Sequence, residues 1–273
     1  MCAREATEFS AEPFDQSLDL CGDIVGAGLR ALFAGNQFMV LPDLFSAFSA
    51  ASGHARVFYE TLPPGIVAGQ LRSGALRLGA LEVRFTPDLI ASSPAALAAL
   101  HEEGLVGEAT PYASNALTLL VAPGNPLRIE RLADLARPGV RFALPNPVTE
   151  GIGRLALAAL EEDGGTALRE RIEGPKRDAG ETVVTSIHHR QSPVWLVEGR
   201  IDAAIVWETE ALHAAKAHQP VEALPLKPLS RQRGDYAAAV VRDAPHPEAA
   251  AALLAFLAGE EGRRIYRSHG FQT

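Results

Sequence analysis

A chain of 273 residues with 47% hydrophobic side chains is long enough to bury a substantial core and to divide into two lobes. Its formal net charge of -8, with arginines scattered instead of clustered, argues against nucleic acid or an anionic membrane as the main partner, since both reward grouped Lys and Arg. Only Cys2 and Cys21 occur, so neither a disulfide framework nor a cysteine-based metal site is expected. No run is apolar and long enough to span a bilayer. The start, with Glu5, Glu8 and Glu12, lacks the basic opening and apolar core of a secretory signal. As written, the chain is expected in the cytoplasm, or in the periplasm if a leader has been removed.

In chain order, residues 14–28 are expected to form an amphipathic helix, after which Leu29-Arg-Ala-Leu-Phe33 opens the main fold as a strand. Gly35-Asn36-Gln37 makes a loop, and Pro42 suits the first turn of a helix bearing Leu44, Phe45 and Phe48. Val57-Phe-Tyr59 is a second strand, Glu60 to Gly65 a second loop, and Ile66 to Ser73 a second helix. Asp88 to Ala91 leads to Ser93-Pro94, a helix cap and first-turn proline. Asn115 to Ala122 is a longer strand that exits at Pro123-Gly-Asn-Pro126, and Ile129 to Ala136 is a brief helix.

Val140 to Leu144 then reads as a buried strand, followed by Pro145-Asn-Pro-Val148-Thr149-Glu150 and a helix with Ile152, Leu155, Ala156, Ala159 and Leu160 at helical spacing. Thr149 is placed to cap that helix. Ile201 to Val206 is a strand with Trp207 to Glu210 as its loop, Tyr236 to Val241 another, and Pro247 to Leu257 with Glu260 to Ser268 a closing helical pair. Strands alternating with helices at this spacing predict parallel sheets covered by helices, an α/β fold. Such sheets bind ligands outside the carboxyl ends of their strands, where the loops at Asn36, Thr61, Thr149 and Trp207 fall.

Four stretches carry a resemblance: Tyr112-Ala-Ser-Asn-Ala-Leu-Thr-Leu-Leu-Val-Ala-Pro-Gly-Asn-Pro126, Leu132-Ala-Asp-Leu-Ala-Arg-Pro-Gly-Val-Arg-Phe-Ala-Leu144, Val197-Glu-Gly-Arg-Ile-Asp-Ala-Ala-Ile-Val206 and Arg264-Ile-Tyr-Arg-Ser-His-Gly-Phe271. In this order and spacing the chain resembles the solute-binding proteins of periplasmic type, class II, and among them the molybdate- and tungstate-binding component of ABC transporters. The resemblance implies a two-lobed periplasmic-binding-protein-like (type 2) fold with the ligand in a cleft between lobes. Residues 1–117 plus 231–273 would form lobe 1 and 118–230 lobe 2, with a hinge near Asn115 to Leu119 and Ser230 to Tyr236. It also implies a small anionic ligand and an ABC transporter as partner, and no cofactor. The ligand loops depart from the family pattern. Where the family commonly offers serine hydroxyls and a tyrosine, this chain has Asn36 and Gln37, then Thr61, then Trp207.

The candidate ligand residues are Asn36, Gln37, Glu60, Thr61, Val148, Thr149, Glu150, His188, His189, Arg190, Trp207 and Glu208. Backbone N–H groups near Thr149 to Gly151, the Asn36 amide and the Thr61 hydroxyl suit an oxyanion. Glu150 either complements its helix dipole or points at the ligand, where it would repel a dianion. His188 and His189, with Glu60 and Glu208, form an alternative nitrogen and oxygen set for a transition metal. Against this stands a structural role for both histidines. Arg190 suits a carboxylate or a surface acid, and Trp207 either walls the site or packs within its lobe.

No nucleophile elbow, phosphate loop or metalloprotease histidine pair occurs, so catalysis is not expected. The expected function is closure of two lobes over an oxyanion or small carboxylate. Its alternatives are a cytoplasmic metal-binding or metal-delivery protein and a ligand-sensing module read by a cytoplasmic protein partner.

Overall fold

The computed structural model describes residues 19–78, 81–148, 150–185 and 189–273. In chain order the elements begin with β1 (Asp19–Cys21), β2 (Leu29–Ala34), α1 (Leu41–Ser52), β3 (Val57–Leu62), α2 (Pro64–Ser73), the hairpin β4 (Ala75–Leu78) and β5 (Leu81–Arg84), β6 (Leu89–Ser92), α3 (Pro94–Glu102) and β7 (Thr110–Val121). Then come β8 (Phe142–Leu144), α4 (Gly151–Glu173), α5 (Pro175–Asp178), β9 (Thr182–Val184), α6 (Gln191–Val197), β10 (Ala203–Trp207), α7 (Glu208–Lys216), β11 (Glu222–Leu224), α8 (Lys227–Ser230), β12 (Arg233–Val240), α9 (Pro247–Ala258) and α10 (Glu260–Ser268). The chain divides into two compact units, one of residues 19–114 with Asp235–Thr273 and the other Asn115–Gly234. Strands β7 and β12 carry the chain from one unit to the other.

In the first unit the strands run β1-β3-β2-β6-β12, with β3, β2 and β6 parallel and the two outer strands antiparallel to their neighbours. The period of two along β2 separates two cores. Leu29, Ala31 and Phe33 pack with α1, α9 and α10, while Leu32 packs with α2 and α3. In the second unit the order is β9-β8-β10-β7, with β9, β8 and β10 parallel and β7 antiparallel to β10; β11 also pairs with β7. Leu119, Phe142, Leu144, Ile205 and Trp207 pack under α4, and Ala143, Ala204 and Val206 under α6 and α7. In each unit the chain leaves the first parallel strand (β2, β8) to one side and later returns on its other side. That reversal opens a crevice at the strands' carboxyl ends.

Several expectations are corrected. Residues 19–28 hold β1 and a turn in place of a helix, because Asp19, Leu20 and Cys21 pair with Thr61, Glu60 and Tyr59 along β3. Cys21 is buried and disulfide-bonded, where no disulfide was expected. Glu60 and Thr61 lie within β3, Trp207 within β10 and Glu208 within α7, none of them in loops. The brief helix expected over residues 129–136 is a 3-10 helix of Leu132–Ala136.

Candidate functional site

In the first unit the strand β2 ends at Ala34 and the chain turns at once through a 3-10 turn, Gly35–Gln37, into α1. Gln37 is completely buried. Its Oε1 accepts hydrogen bonds from Tyr112 Oη at 2.6 Å and Tyr266 Oη at 2.8 Å. With the oxygen so committed, the Gln37 Nε2 group is buried without a partner. Asn36 Nδ2 donates to Tyr236 Oη. Burial holds the Tyr112 and Tyr266 phenols well above the usual tyrosine range, so this network is neutral at any physiological pH. At the end of β3, Thr61 Oγ1 donates to Asp19 Oδ2 at 2.6 Å.

Glu60, one residue earlier, is in register with Phe58 and Leu62 and faces the apolar layer beneath α2. Its polar neighbour is Gln70 of α2, but neither side chain completes a well-formed hydrogen bond. Burial pushes the Glu60 carboxyl up to about 8, which makes it a neutral acid inside a hydrocarbon layer.

The second unit uses charge. After β8 the loop is held by Asn146, whose N–H donates to Thr185 Oγ1 at 3.0 Å and whose Oδ1 accepts from the Val148 N–H at 3.0 Å. The loop folds against the first turn of α4, where a Cβ at Gly153 would strike the Pro145 carbonyl and the Pro147 nitrogen. Val148 stands out at the tip, 84% exposed. Glu150, the residue before α4, turns its carboxylate inward. It accepts from Thr185 Oγ1 at 3.0 Å, from the His189 N–H at 3.0 Å and from His189 Nδ1 at 2.5 Å.

His189 Nε2 lies 3.0 Å from Glu210 Oε1. The same Glu210 reaches back with Oε2 to the Trp207 N–H at 3.2 Å, closing the start of α7. Burial by itself drives an imidazolium down, but the charges of Glu210 and Glu150 and their hydrogen bonds outweigh it and carry His189 up to about 10. Burial likewise works to raise Glu150, yet the His189 charge and hydrogen bonds hold it below the ordinary carboxylate range. One imidazolium thereby ties together the segments that follow β8, β9 and β10, the last being the first turn of α7.

Trp207 ends β10 with its ring edge-on to His189, centroids 6.5 Å apart at 74°, and against Gly234, where a Cβ would collide with the indole. Thus Trp207 packs within its own unit. Asn115 Nδ2 donates to Thr209 Oγ1 at 2.8 Å, both residues buried. Arg190 is half-buried just before α6, and Glu208 is exposed at the start of α7. Thr149 and His188 lie outside the described residues.

The metal set of Glu60, His188, His189 and Glu208 is not assembled. Glu60 faces the layer beneath α2, Glu208 faces solvent, and both nitrogens of His189 face carboxylates. A protonated imidazole has no lone pair to give a metal. Among the described residues no three His, Cys, Asp or Glu side chains gather to hold an ion. The Glu150 carboxylate is taken up by Thr185 and His189, and the Thr61 hydrogen is already given to Asp19. The sequence did not disclose Glu210, Tyr112, Tyr236 or Tyr266 as partners. Only Glu210 left a local signal, a carboxylate three residues after the end of a strand.

Helices α1, α2 and α4, which follow β2, β3 and β8, begin with no side-chain cap, as do α6 after β9 and α9 after β12. By contrast α3, after β6, is capped by Ser93 Oγ accepting from the Ala96 N–H at 3.3 Å. Uncapped starts present N–H groups and the positive end of the helix dipole.

Residues 29–272 match the family of the bacterial extracellular solute-binding protein. The molybdate-binding protein ModA of Mycobacterium tuberculosis is 27% identical over 253 residues, covering 92% of this chain and 87% of that one. Among solved structures, the sulfate-binding protein SubI from Mycobacterium tuberculosis H37Rv superposes with a TM-score of 0.71 at 21% identity, over 89% of this chain and 85% of that one. The Azotobacter vinelandii periplasmic molybdate-binding protein superposes with a TM-score of 0.70 at 19% identity, over 90% and 99%. The fold is therefore the α/β architecture of the periplasmic binding proteins. With nearly its whole length matched, the chain belongs to the bacterial extracellular solute-binding proteins, and within them it resembles the molybdate binders.

Proposed function

We propose that the protein binds a small tetrahedral oxyanion of the molybdate and tungstate kind and hands it to an ABC transporter. The observation that carries this reading is the set of uncapped starts of α1, α2 and α4 at the carboxyl ends of β2, β3 and β8. Helix starts of this kind hold anions through backbone N–H groups without any cationic side chain. Asn36 and Gln37 add amide hydrogens beside the first of them, and neither they nor their tyrosine partners carry charge. Uncharged donors suit a dianion whose own charge the site must not trap irreversibly. The names of the relatives support the same ligand class.

The protein works outside the cytoplasm in this reading. A disulfide at Cys21 belongs to an oxidising compartment, and the matched family is described as extracellular. No helix among the described residues is long and apolar enough to cross a membrane.

The test is thermal unfolding against molybdate, tungstate, sulfate, phosphate and small carboxylates. A ligand bound only by the native state at a hundredfold excess over Kd adds about 2.7 kcal/mol, which raises Tm by roughly 5 °C or more in a protein of this size. Molybdate and tungstate are expected to do so at micromolar concentration. Shifts confined to carboxylates would move the assignment to an organic acid, and no shift with any member of the panel would overturn it.

A further inference from the structure

A pocket of about 330 Å³ in the first unit shares Tyr112 with the Gln37 network but none of the residues assigned to the oxyanion. Its apolar walls come from Pro94, Pro111 and the Tyr112 ring, and its polar groups include Arg263 of α10 and Asp235 of β12. Arg263 is exceptional among the arginines. Its guanidinium is partly withdrawn from solvent, its Nε is buried, and nothing among the described residues accepts from it. The neighbouring Arg264 and Arg267 on the same helix are bound to Glu261 and Glu260. Arg56, Arg128, Arg171, Arg177 and Arg233, which also lack a carboxylate, are all exposed.

A half-buried guanidinium with a shielded, unanswered N–H forfeits hydration and gets no hydrogen bond in return. Asp235 lines the same pocket, is exposed, and is not ion-paired with Arg263. Opposite charges therefore stand on one pocket without neutralising each other. The pocket is pinned by backbone: Ser114 and Gln272 exchange N–H to carbonyl bonds of 2.7 and 2.9 Å, which fix its floor between β7 and the end of the chain.

We infer that this pocket is a second binding site, for a small amino-acid-like zwitterion. The ligand's carboxylate would meet Arg263, whose planar fork matches two carboxylate oxygens. Its ammonium would meet Asp235, and an apolar side chain would lie on the two prolines and Tyr112.

Isothermal titration with L-leucine, isovalerate and isoamylamine on the full chain tests this, the last two being the carboxylate and ammonium halves of the first. Leucine is expected to bind at least ten-fold more tightly than either half. Arg263→Gln should abolish its binding while leaving the molybdate-induced Tm shift unchanged, and Asp235→Asn, a change on the exposed rim, should weaken leucine to the level of isovalerate. Absence of leucine binding at millimolar concentration, equal binding of isovalerate, or undiminished binding in either variant would overturn the site. Because molybdate is read separately, failure here and failure of the oxyanion reading are distinguishable.

Discussion

The two units share one strand plan and differ in the chemistry at its ends. The order β3-β2-β6-β12 in the first is repeated as β9-β8-β10-β7 in the second, three parallel strands and an antiparallel fourth in each case. At the carboxyl ends the first unit joins its elements by neutral bonds between tyrosines and Asn36 and Gln37, whereas the second joins the segments after three strands through Glu150, His189 and Glu210. A topology thus fixes where a crevice opens and leaves open what binds it together. The difference matters energetically. A neutral network loses its parts one hydrogen bond at a time, while a buried ionic one fails when any partner is removed.

The largest expected effect follows from that contrast. His189→Ala leaves Glu150 and Glu210 buried without their shared cation and should cost roughly 3–5 kcal/mol. Gln37→Leu, which strands two tyrosine hydroxyls, should cost about 1–3 kcal/mol. Urea unfolding of both variants at pH 7 measures the difference, and equal losses would dissolve the distinction between the units.

The pH dependence separates them again. Glu60, raised from 4.5 to about 8 in the folded first unit, contributes stability that is fully present below pH 4.5 and lost as pH climbs through 8. His189, raised from 6.5 to about 10, contributes stability that is complete below pH 6.5 and gone above 10. Both losses run toward alkali but in different windows. Glu60→Gln keeps a neutral side chain of the same shape opposite Gln70. It should raise stability at pH 8 by about 4 kcal/mol relative to wild type, do nothing at pH 4, and leave the fall above pH 8 in place. Urea midpoints from pH 4 to 10 give the comparison, and an unchanged slope between pH 5 and 8 would remove Glu60 from the account.

The third effect is steric. Gly234→Ala sets a methyl group against the Trp207 indole and should cost about 1–2 kcal/mol as the ring is displaced. Trp207 is buried, as is Trp195, so the emission maximum should move to the red. An unshifted spectrum with full stability would show that the ring has room to give.

Much of the fold was legible because its signals are local. Leu29 to Phe33, Asp88 to Ala91 and the pair Ser93-Pro94 announced themselves through apolar runs and turn chemistry, and the strands and cap stand there. An acid such as Glu60 reads in a sequence as a charged strand end, whereas burial keeps it neutral and the strand continues to Leu62. The β1 segment carries no strand signal of its own, because its pairing partner, β3, lies some forty residues on and an edge strand of three residues has no period to detect. The site was harder. Asn36, Gln37, Glu150 and His189 were visible as unusual residues in the right places, but their roles depend on Tyr112, Tyr236, Tyr266 and Glu210, brought from distant stretches by the fold. No window along the chain contains that information.

The smallest effect tests whether the uncapped helix starts mark the ligand at all. Ser93→Ala removes the side-chain cap of α3 and should cost about 1 kcal/mol of stability. Its own start then resembles those of α1, α2 and α4 in lacking a cap. If helix starts bind the oxyanion because of where they stand in the strand order, the new uncapped start after β6 should leave the molybdate-induced Tm shift as it was. A gain in affinity from this variant would mean that any exposed set of N–H groups suffices. The contrast between the capped strand end and the uncapped ones would then be a matter of helix stability, with no bearing on recognition.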